Sequence, residues 1–351
     1  MVETCFLGAN TPQGFRSEYK TLQQDPRIRR LLILKGGPGC GKSTLMKTLG
    51  NRAEECGWKV ERILCSSDPD SLDGVLVPEL GLALTDGTAP HVVEPTLCGC
   101  GENYVNLGRC YREAELRALA PAIRATREAN LACYGPVYGC LRAVASLAEA
   151  RRGLLGQERI RDVTKDALEQ LLPEKLPQSD KQGTRRRVYF SGITPKGLLT
   201  LDPDVERLWA IHDSSGVGGG LLRQIEQCFI DAREDVILGM DPLNPDAVEA
   251  VIVPARDLGW IRVRPSFQGC RQAMLRLDLD SALEEELPAE TLEGLRELAS
   301  VEARLLRQSV GWLRRAKSNH DLMEELYRPA VDFAAVTRET ELLCRELFTE
   351  N

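Results

Sequence analysis

Apolar residues fall into two patterns along the chain. Short continuous runs come first: Leu31-Leu32-Ile33-Leu34 and Leu82-Ala83-Leu84, with a β-rich stretch from Lys59 to Leu64 between them. Runs of this length predict strands buried on both faces. Directly after the first run, Leu45, Met46, Leu49 and Ala53 recur at helical spacing. From about Asn106 helical spacing dominates, at Leu116, Leu119, Ile123 and Leu131, with Pro121 and Gly135-Pro136 as the expected breaks. It returns between Ser281 and Phe348, at Leu292, Leu295, Leu298, Leu305 and Leu306. Such stripes pack into a core. They are also the surface through which an unknown protein partner would be held.

The pattern is written twice. Gly8-Ala9-Asn10-Thr11-Pro12-Gln13-Gly14-Phe15 returns, one residue shorter, as Gly192-Ile193-Thr194-Pro195-Lys196-Gly197-Leu198. The run Leu31 to Leu34 and its glycine-rich loop correspond to Leu208-Trp209-Ala210-Ile211 and the loop from Asp213 to Gly220. The segment from Pro69 to Pro78 matches that from Pro245 to Pro254, and Tyr134-x-Pro136 recurs as Tyr327-x-Pro329. Four landmarks in one order exceed what two unrelated folds share by drift. The expected architecture is α/β: two tandem P-loop-like domains with parallel sheets, each followed by a helical arm. Their boundary falls in the polar stretch Gln178 to Gly183, giving domains 1–183 and 184–351.

Composition narrows the class. In 351 residues, 43% hydrophobic and 28% charged is globular usage and excludes a disordered chain. The net charge of −7 argues against coating a nucleic-acid backbone. No apolar run approaches the ~18 residues of a membrane span, and Met1 to Cys5 does not open a signal peptide. A cytoplasmic protein without a membrane partner is therefore expected. Its 12 cysteines are then expected as reduced, buried thiols. The spacing of Cys98-Gly99-Cys100, with Cys110 and Cys133 beyond, fits no common zinc pattern. Three histidines, His91, His212 and His320, leave little material for a histidine-based site.

The chemistry is concentrated in Gly36-Gly37-Pro38-Gly39-Cys40-Gly41-Lys42-Ser43-Thr44, which fits G-x-x-x-x-G-K-[ST] between an expected strand and an expected helix. Glycines let consecutive amides turn inward around a phosphate, and the helix dipole adds positive potential. Lys42 would reach the terminal phosphates of a nucleotide, and the Ser43 hydroxyl would bind Mg²⁺. Cys40 would contribute its amide alone. The run closing on Asp86 has the form of a second Mg²⁺-orienting element, acting through water. Gly87 follows it, so the group positioning the attacking water must come from elsewhere; Asp68, Asp73, Glu79 and His91 are the candidates.

The second copy lacks these groups. With Lys35 set opposite His212, Gly36 faces Asp213, Lys42 faces Gly219, Ser43 faces Gly220 and Thr44 faces Leu221. Further on, Asp86 falls opposite Arg262 and Glu79 opposite Ala255, while Val251 to Pro254 keep the apolar frame. Packing retained without catalytic groups predicts a pseudo-nucleotide domain. Asp213 would bring negative charge to the loop's entrance. A rival expectation is that Gly216 to Gly220 binds another anion by backbone alone. Arg262 or Arg264 would be a candidate basic finger for the first site.

Gly8 to Phe15, the phosphate loop, Cys65-Ser66-Ser67-Asp68-x-Asp70-Ser71-Leu72-Asp73-Gly74 and Asp86-Gly87-Thr88-Ala89-Pro90-His91 together resemble a poorly characterised bacterial family of tandem P-loop ATPases or ATP-binding proteins. The resemblance covers essentially the whole chain. It implies ATP binding and a P-loop fold and supplies no cellular role. In the relatives both halves carry the Lys and Ser/Thr, and this chain departs in the second.

The expectation is ATP binding with Mg²⁺-dependent hydrolysis at one site in the first half. ATP is favoured over GTP because no Asn-Lys-x-Asp phrase occurs; Ser318-Asn319-His320-Asp321 is not one. One alternative is a small-molecule or nucleoside kinase, with Arg109, Arg112 and Arg117 as a lid over an acceptor near Cys98 to Cys110. Another is a nucleotide-dependent switch or scaffold that does not hydrolyse.

Overall fold

A computed structural model describes residues 3–172, 182–269 and 275–348. The strands and helices of the first half are β1 (Thr4–Cys5), β2 (Gly8–Thr11), β3 (Gly14–Ser17), β4 (Arg30–Lys35), α1 (Lys42–Glu55), β5 (Glu61–Cys65), β6 (Asp68–Val77), β7 (Leu82–Asp86), β8 (Glu102–Asn106), α2 (Glu113–Ala132), α3 (Tyr134–Leu155) and α4 (Gln157–Leu171). The second half adds β9 (Arg185–Val188), β10 (Ser191–Thr194), β11 (Gly197–Thr200), β12 (Arg207–His212), α5 (Gly218–Asp231), β13 (Val236–Asp241), β14 (Asn244–Val253), β15 (Leu258–Val263), β16 (Gln268–Gly269), β17 (Leu275–Asp278), α6 (Leu279–Glu284), α7 (Ala289–Tyr327) and α8 (Phe333–Phe348). Most of the expected linker, Gln178 to Lys181, lies outside the described residues.

Two compact α/β units result. Among the described residues, one comprises Glu3–Gly8, Ser17–Gly135 and those from Trp312 onward; the other comprises Ala9–Arg16 and those between Pro136 and Gly311. The units do not follow the halves of the repeat, because the tail from Trp312 groups with the first sheet and the stretch from Pro136 groups with the second.

The first sheet has the order β1-β5-β6-β7-β4-β8 and the second β9-β13-β14-β15-β12-β17, the same order strand for strand. Both are mixed sheets. The expected parallel pairing holds for most neighbours, while β6 runs antiparallel to β5 and β7, and β14 antiparallel to β13 and β15. These ten-residue strands cover the matched segments Pro69–Pro78 and Pro245–Pro254. Even their irregularities coincide: the register shifts at Ile63/Leu64 and Leu64/Cys65 recur at Gly239/Met240 and Met240/Asp241. The first landmark phrase is a hairpin turn in both copies. Thr11 donates its hydroxyl to Gly14 O at 2.7 Å, and Thr194 donates to Gly197 O at 2.9 Å. Gly14 (φ 106°) and Gly197 (φ 135°) supply the left-handed residue that such a turn requires.

In the first unit, α1 buries Leu45, Met46, Leu49 and Ala53 against Leu32, Leu34, Val75, Val77 and Leu84 of the sheet. Each leucine, valine or methionine among them contributes roughly 1.5–3 kcal/mol on leaving water. Leu343, Leu347 and Phe348 of α8, each partly buried, pack against the same core, so α8 covers the first unit's core.

Two expected helix breaks are corrected. Pro121 lies inside α2, and the interruption falls at Cys133, so that Pro136 occupies the first turn of α3, where a missing N–H is tolerated. The stretch Glu113–Leu155 also contains an 18-residue window of mean hydropathy 1.2. By length and composition this one helical stretch reaches the range of a membrane span, contrary to the expectation from apolar runs.

Candidate functional site

The loop Gly36–Thr44 leaves the end of β4, the strand flanked by the parallel strands β7 and β8. Ligand-facing groups gather at this edge of a sheet, where parallel strands end and helices begin. Gly39 (φ 66°) and Gly41 (φ 91°) take left-handed conformations that turn the chain into α1. Lys42 folds back over the loop. Its Nζ donates to Gly36 O at 2.7 Å and Gly37 O at 3.0 Å, and lies 3.5 Å from Asp86 Oδ2. The other oxygen, Asp86 Oδ1, is held by the amide (2.8 Å) and hydroxyl (2.6 Å) of Thr88. The Ser43 hydroxyl accepts from the amide of Leu72 at 2.9 Å. Lys42, Ser43 and Asp86 are therefore gathered at one place, Lys42 and Asp86 within a direct ion pair. Thr44 is exposed on α1.

Cys40 has a role beyond its amide. Its side chain is buried in the core, and a Cβ on Gly36 would stand 2.6 Å from its sulfur. The outer side of the loop is covered closely by the tail of the chain and by Tyr111. A Cβ on Gly37 would meet Tyr111 Oη at 2.9 Å and Tyr327 at 3.4 Å; one on Gly39 would meet Glu324 O at 3.3 Å; one on Gly41 would meet Val336 at 3.1 Å. Glycine at these places is needed for close approach as well as for turning.

The candidates for the water-positioning group separate. Glu79 is exposed in the turn Pro78–Leu80 that precedes β7, at the end of that strand away from Asp86. The structure does not bring it to the loop. Asp68 accepts from the Ser71 hydroxyl at 2.9 Å and lies 3.5 Å from Lys317 of α7. Asp73 and His91 are both buried and pair directly, His91 Nε2 to Asp73 Oδ2 at 3.1 Å. Tyr19 donates its hydroxyl to the same oxygen at 3.0 Å. Burial disfavours a charged His91, but the Asp73 carboxylate outweighs it and raises the imidazole pKa. Burial and Asp73 both push the neighbouring Cys65 thiol up. Sequence reasoning named Asp73 and His91 singly and missed Tyr19 and Cys65 as their neighbours.

The second copy carries the most informative geometry. Asp213 lies inside its own loop, and its carboxylate accepts from the amides of Gly216 (2.8 Å), Val217 (3.1 Å) and Gly218 (2.8 Å) and from the Ser215 hydroxyl (3.2 Å). Arg262 Nε closes the arrangement at 2.6 Å, and neither side chain is exposed at all. Burial alone would raise the Asp213 pKa; the Arg262 charge and the loop amides hold it below the usual carboxylate value. Gly219, opposite Lys42, packs closely on the sheet: a Cβ there would meet Ala247 at 3.3 Å and Val248 O at 3.5 Å, with Arg262 Nη1 in ordinary contact at 3.7 Å. An outside anion would have to displace Asp213, contrary to the expectation of a free backbone nest from Gly216 to Gly220.

Arg262 and Arg264 do not form a finger. Arg262 also binds Asp241 at 3.0 Å, and Arg264 binds Asp241 and, at 3.1 Å, Glu249. Both are buried within the second unit. The three arginines of the expected lid are exposed and make surface pairs: Arg109 with Glu339, Arg112 with Glu115 and Pro329 O, and Arg117 with Glu113.

Cys98 and Cys100 are exposed, and every cysteine among the described residues is a free thiol. No protein-family model, curated protein or solved structure matches this chain.

Proposed function

We propose that the chain binds ATP with Mg²⁺ at the loop Gly36–Thr44 and hydrolyses it slowly, while the second half is a pseudo-nucleotide domain. The observation that carries this is Asp213. On the same scaffold, at the same loop positions, the amides of Gly216, Val217 and Gly218 hold a carboxylate. Their counterparts are Gly39, Cys40 and Gly41, in a loop whose residue 36 is glycine and brings no carboxylate of its own. The first loop adds Lys42, Ser43 and Asp86, the groups that distinguish a polyphosphate site from a carboxylate nest.

The donor set fits a hard cation beside phosphates. The Ser43 hydroxyl and the Asp86 carboxylate would hold Mg²⁺, which supplies neutralisation of phosphate charge when bound. Lys42 would exchange the carbonyls of Gly36 and Gly37 for phosphate oxygens, and the loop amides would stabilise the charge that develops as water attacks. Slow turnover follows from the engagement of the nearby carboxylates: Asp68 with Ser71 and Lys317, Asp73 with Tyr19 and His91.

A nucleotide-dependent switch is the second reading. It is favoured by Tyr327, Glu324 and Val336, which abut the loop glycines and would register a change in loop conformation. Equilibrium binding of Mg-ATP by the parent and Lys42→Ala tests the site. Phosphate release from the bound nucleotide separates hydrolysis from switching. Turnover that requires an added acceptor would select a kinase.

A further inference from the structure

Next to Asp86, three side chains of different chemistry meet. Cys65 Sγ, a carboxylate oxygen of Asp73 and a ring nitrogen of His91 all lie within 4.8 Å of one another. They come from the end of β5, from β6 and from the segment after β7, so the sheet assembles them from places 8 and more residues apart in sequence. Each is held from behind. The Tyr19 hydroxyl donates to Asp73, and the Tyr19 ring packs on His91 with 4.5 Å between centroids. The amides of Ser67 and Asp68 are directed at the Cys65 sulfur. Lys35 donates to Gly87 O (2.7 Å) and Val93 O (3.1 Å), tying down both ends of the segment that carries His91. Supporting contacts of this kind orient ligands at metal centres.

The repeat supplies an independent observation. Cys65 and Asp73 correspond to Asp241 and Glu249, and between those two carboxylates the second copy places the cationic guanidinium of Arg264, which binds both. The counterpart of Arg264 is Thr88, which carries no charge. The scaffold thus holds a cation at this place in one copy, and in the other it sets out a thiol, a carboxylate and an imidazole.

We propose that Cys65, Asp73 and His91 bind a divalent cation of the zinc class, with water as a fourth ligand. Sulfur and imidazole donors select such an ion over Mg²⁺, which prefers oxygen. On binding, the Cys65 S–H bond breaks, a sulfur–metal bond forms and the proton passes to solvent, with no change of oxidation state. The His91–Asp73 hydrogen bond breaks, the Nε2 proton passes to solvent or, in the neutral ring, to Nδ1, and the freed ring nitrogen and the Asp73 carboxylate each form a metal–ligand bond. Binding of this cation requires no nucleotide.

The test uses the full chain, stripped with a chelator and titrated with Co²⁺ and then Zn²⁺ without nucleotide or Mg²⁺. One Co²⁺ per chain is expected, with a thiolate-to-cobalt charge-transfer band that Zn²⁺ abolishes. The band should persist in Cys98→Ser/Cys100→Ser and vanish in Cys65→Ser. His91→Gln and Asp73→Asn keep the thiol and should weaken binding by at least about 100-fold, with the metal-free circular dichroism spectrum unchanged. Sub-stoichiometric binding by the parent, or a band that follows Cys98 and Cys100, would overturn the proposal. Because no nucleotide is present, its failure is distinct from failure of the ATP site.

Discussion

Arg262 Nε meets Asp213 Oδ2 at 2.6 Å, and the pair reverses the polarity of Lys42 and Asp86, which stand 3.5 Å apart in the first copy. In the first loop the cation is carried by the helix and the anion by the neighbouring strand. In the second the anion is carried by the loop and the cation by the strand. The two sheets around these pairs share one strand order.

Truncating one partner of this pair leaves a buried charge with fewer partners. Asp213→Ala should destabilise the second unit by about 3–5 kcal/mol, read by denaturant unfolding. Arg262→Leu should cost a similar amount. The Asp213→Ala/Arg262→Leu double variant should cost less than the sum of the two single changes. Strict additivity would mean that the pair carries no coupling.

Acid reports the same pair. The folded-state pKa of Asp213 is depressed, so its contribution is fully present above the ordinary value of 3.8 and is lost as pH falls through the lower folded value. The stability gap between the parent and Asp213→Asn should therefore be flat above about pH 4 and narrow below it. A gap that widens on acidification would contradict the assignment.

Close approach at the loop predicts a rescue. Gly37→Ala would set a methyl group 2.9 Å from Tyr111 Oη and should weaken nucleotide binding and thermal stability together. Adding Tyr111→Phe removes the oxygen and should restore most of both. If the second change has no effect, the contact with Tyr111 does not limit residue 37.

The tail should be indispensable to the first unit. A chain ending at Gly311 lacks the α8 residues Leu343, Leu347 and Phe348 that pack on the first core. Calorimetry should show the unfolding transition of the first unit lost while that of the second remains. Two unchanged transitions would show that the first sheet folds without its cover.

Much of the fold is legible in the residues. The repeat, the strand over Leu31 to Leu34, the run ending at Asp86 and the loop that joins strand to helix all follow from local patterning, because those segments carry their own periodicity and turn residues. The antiparallel β6 was hidden: Pro69, Asp70, Ser71 and Asp73 break any strand pattern, and the register shifts opposite them absorb the irregularity. The division of the two arms between the units was equally hidden, since an apolar stripe states that it is buried and not against what. Asp213 was legible as a charge at the loop. Its insertion into the amides was not, because that depends on Arg262, 49 residues away. The same holds for Cys65, Asp73 and His91, which only the sheet brings together.

The central claim is that the first loop holds a triphosphate through its amides and Lys42. Calorimetric titration of Mg-ATP into the parent and Lys42→Ala, with both folded by circular dichroism, tests it most directly. One nucleotide should bind per parent chain, and affinity should fall at least about 100-fold in the variant, a loss of ~2.7 kcal/mol. Equal affinity in the two chains, or two nucleotides bound per parent chain, would contradict it.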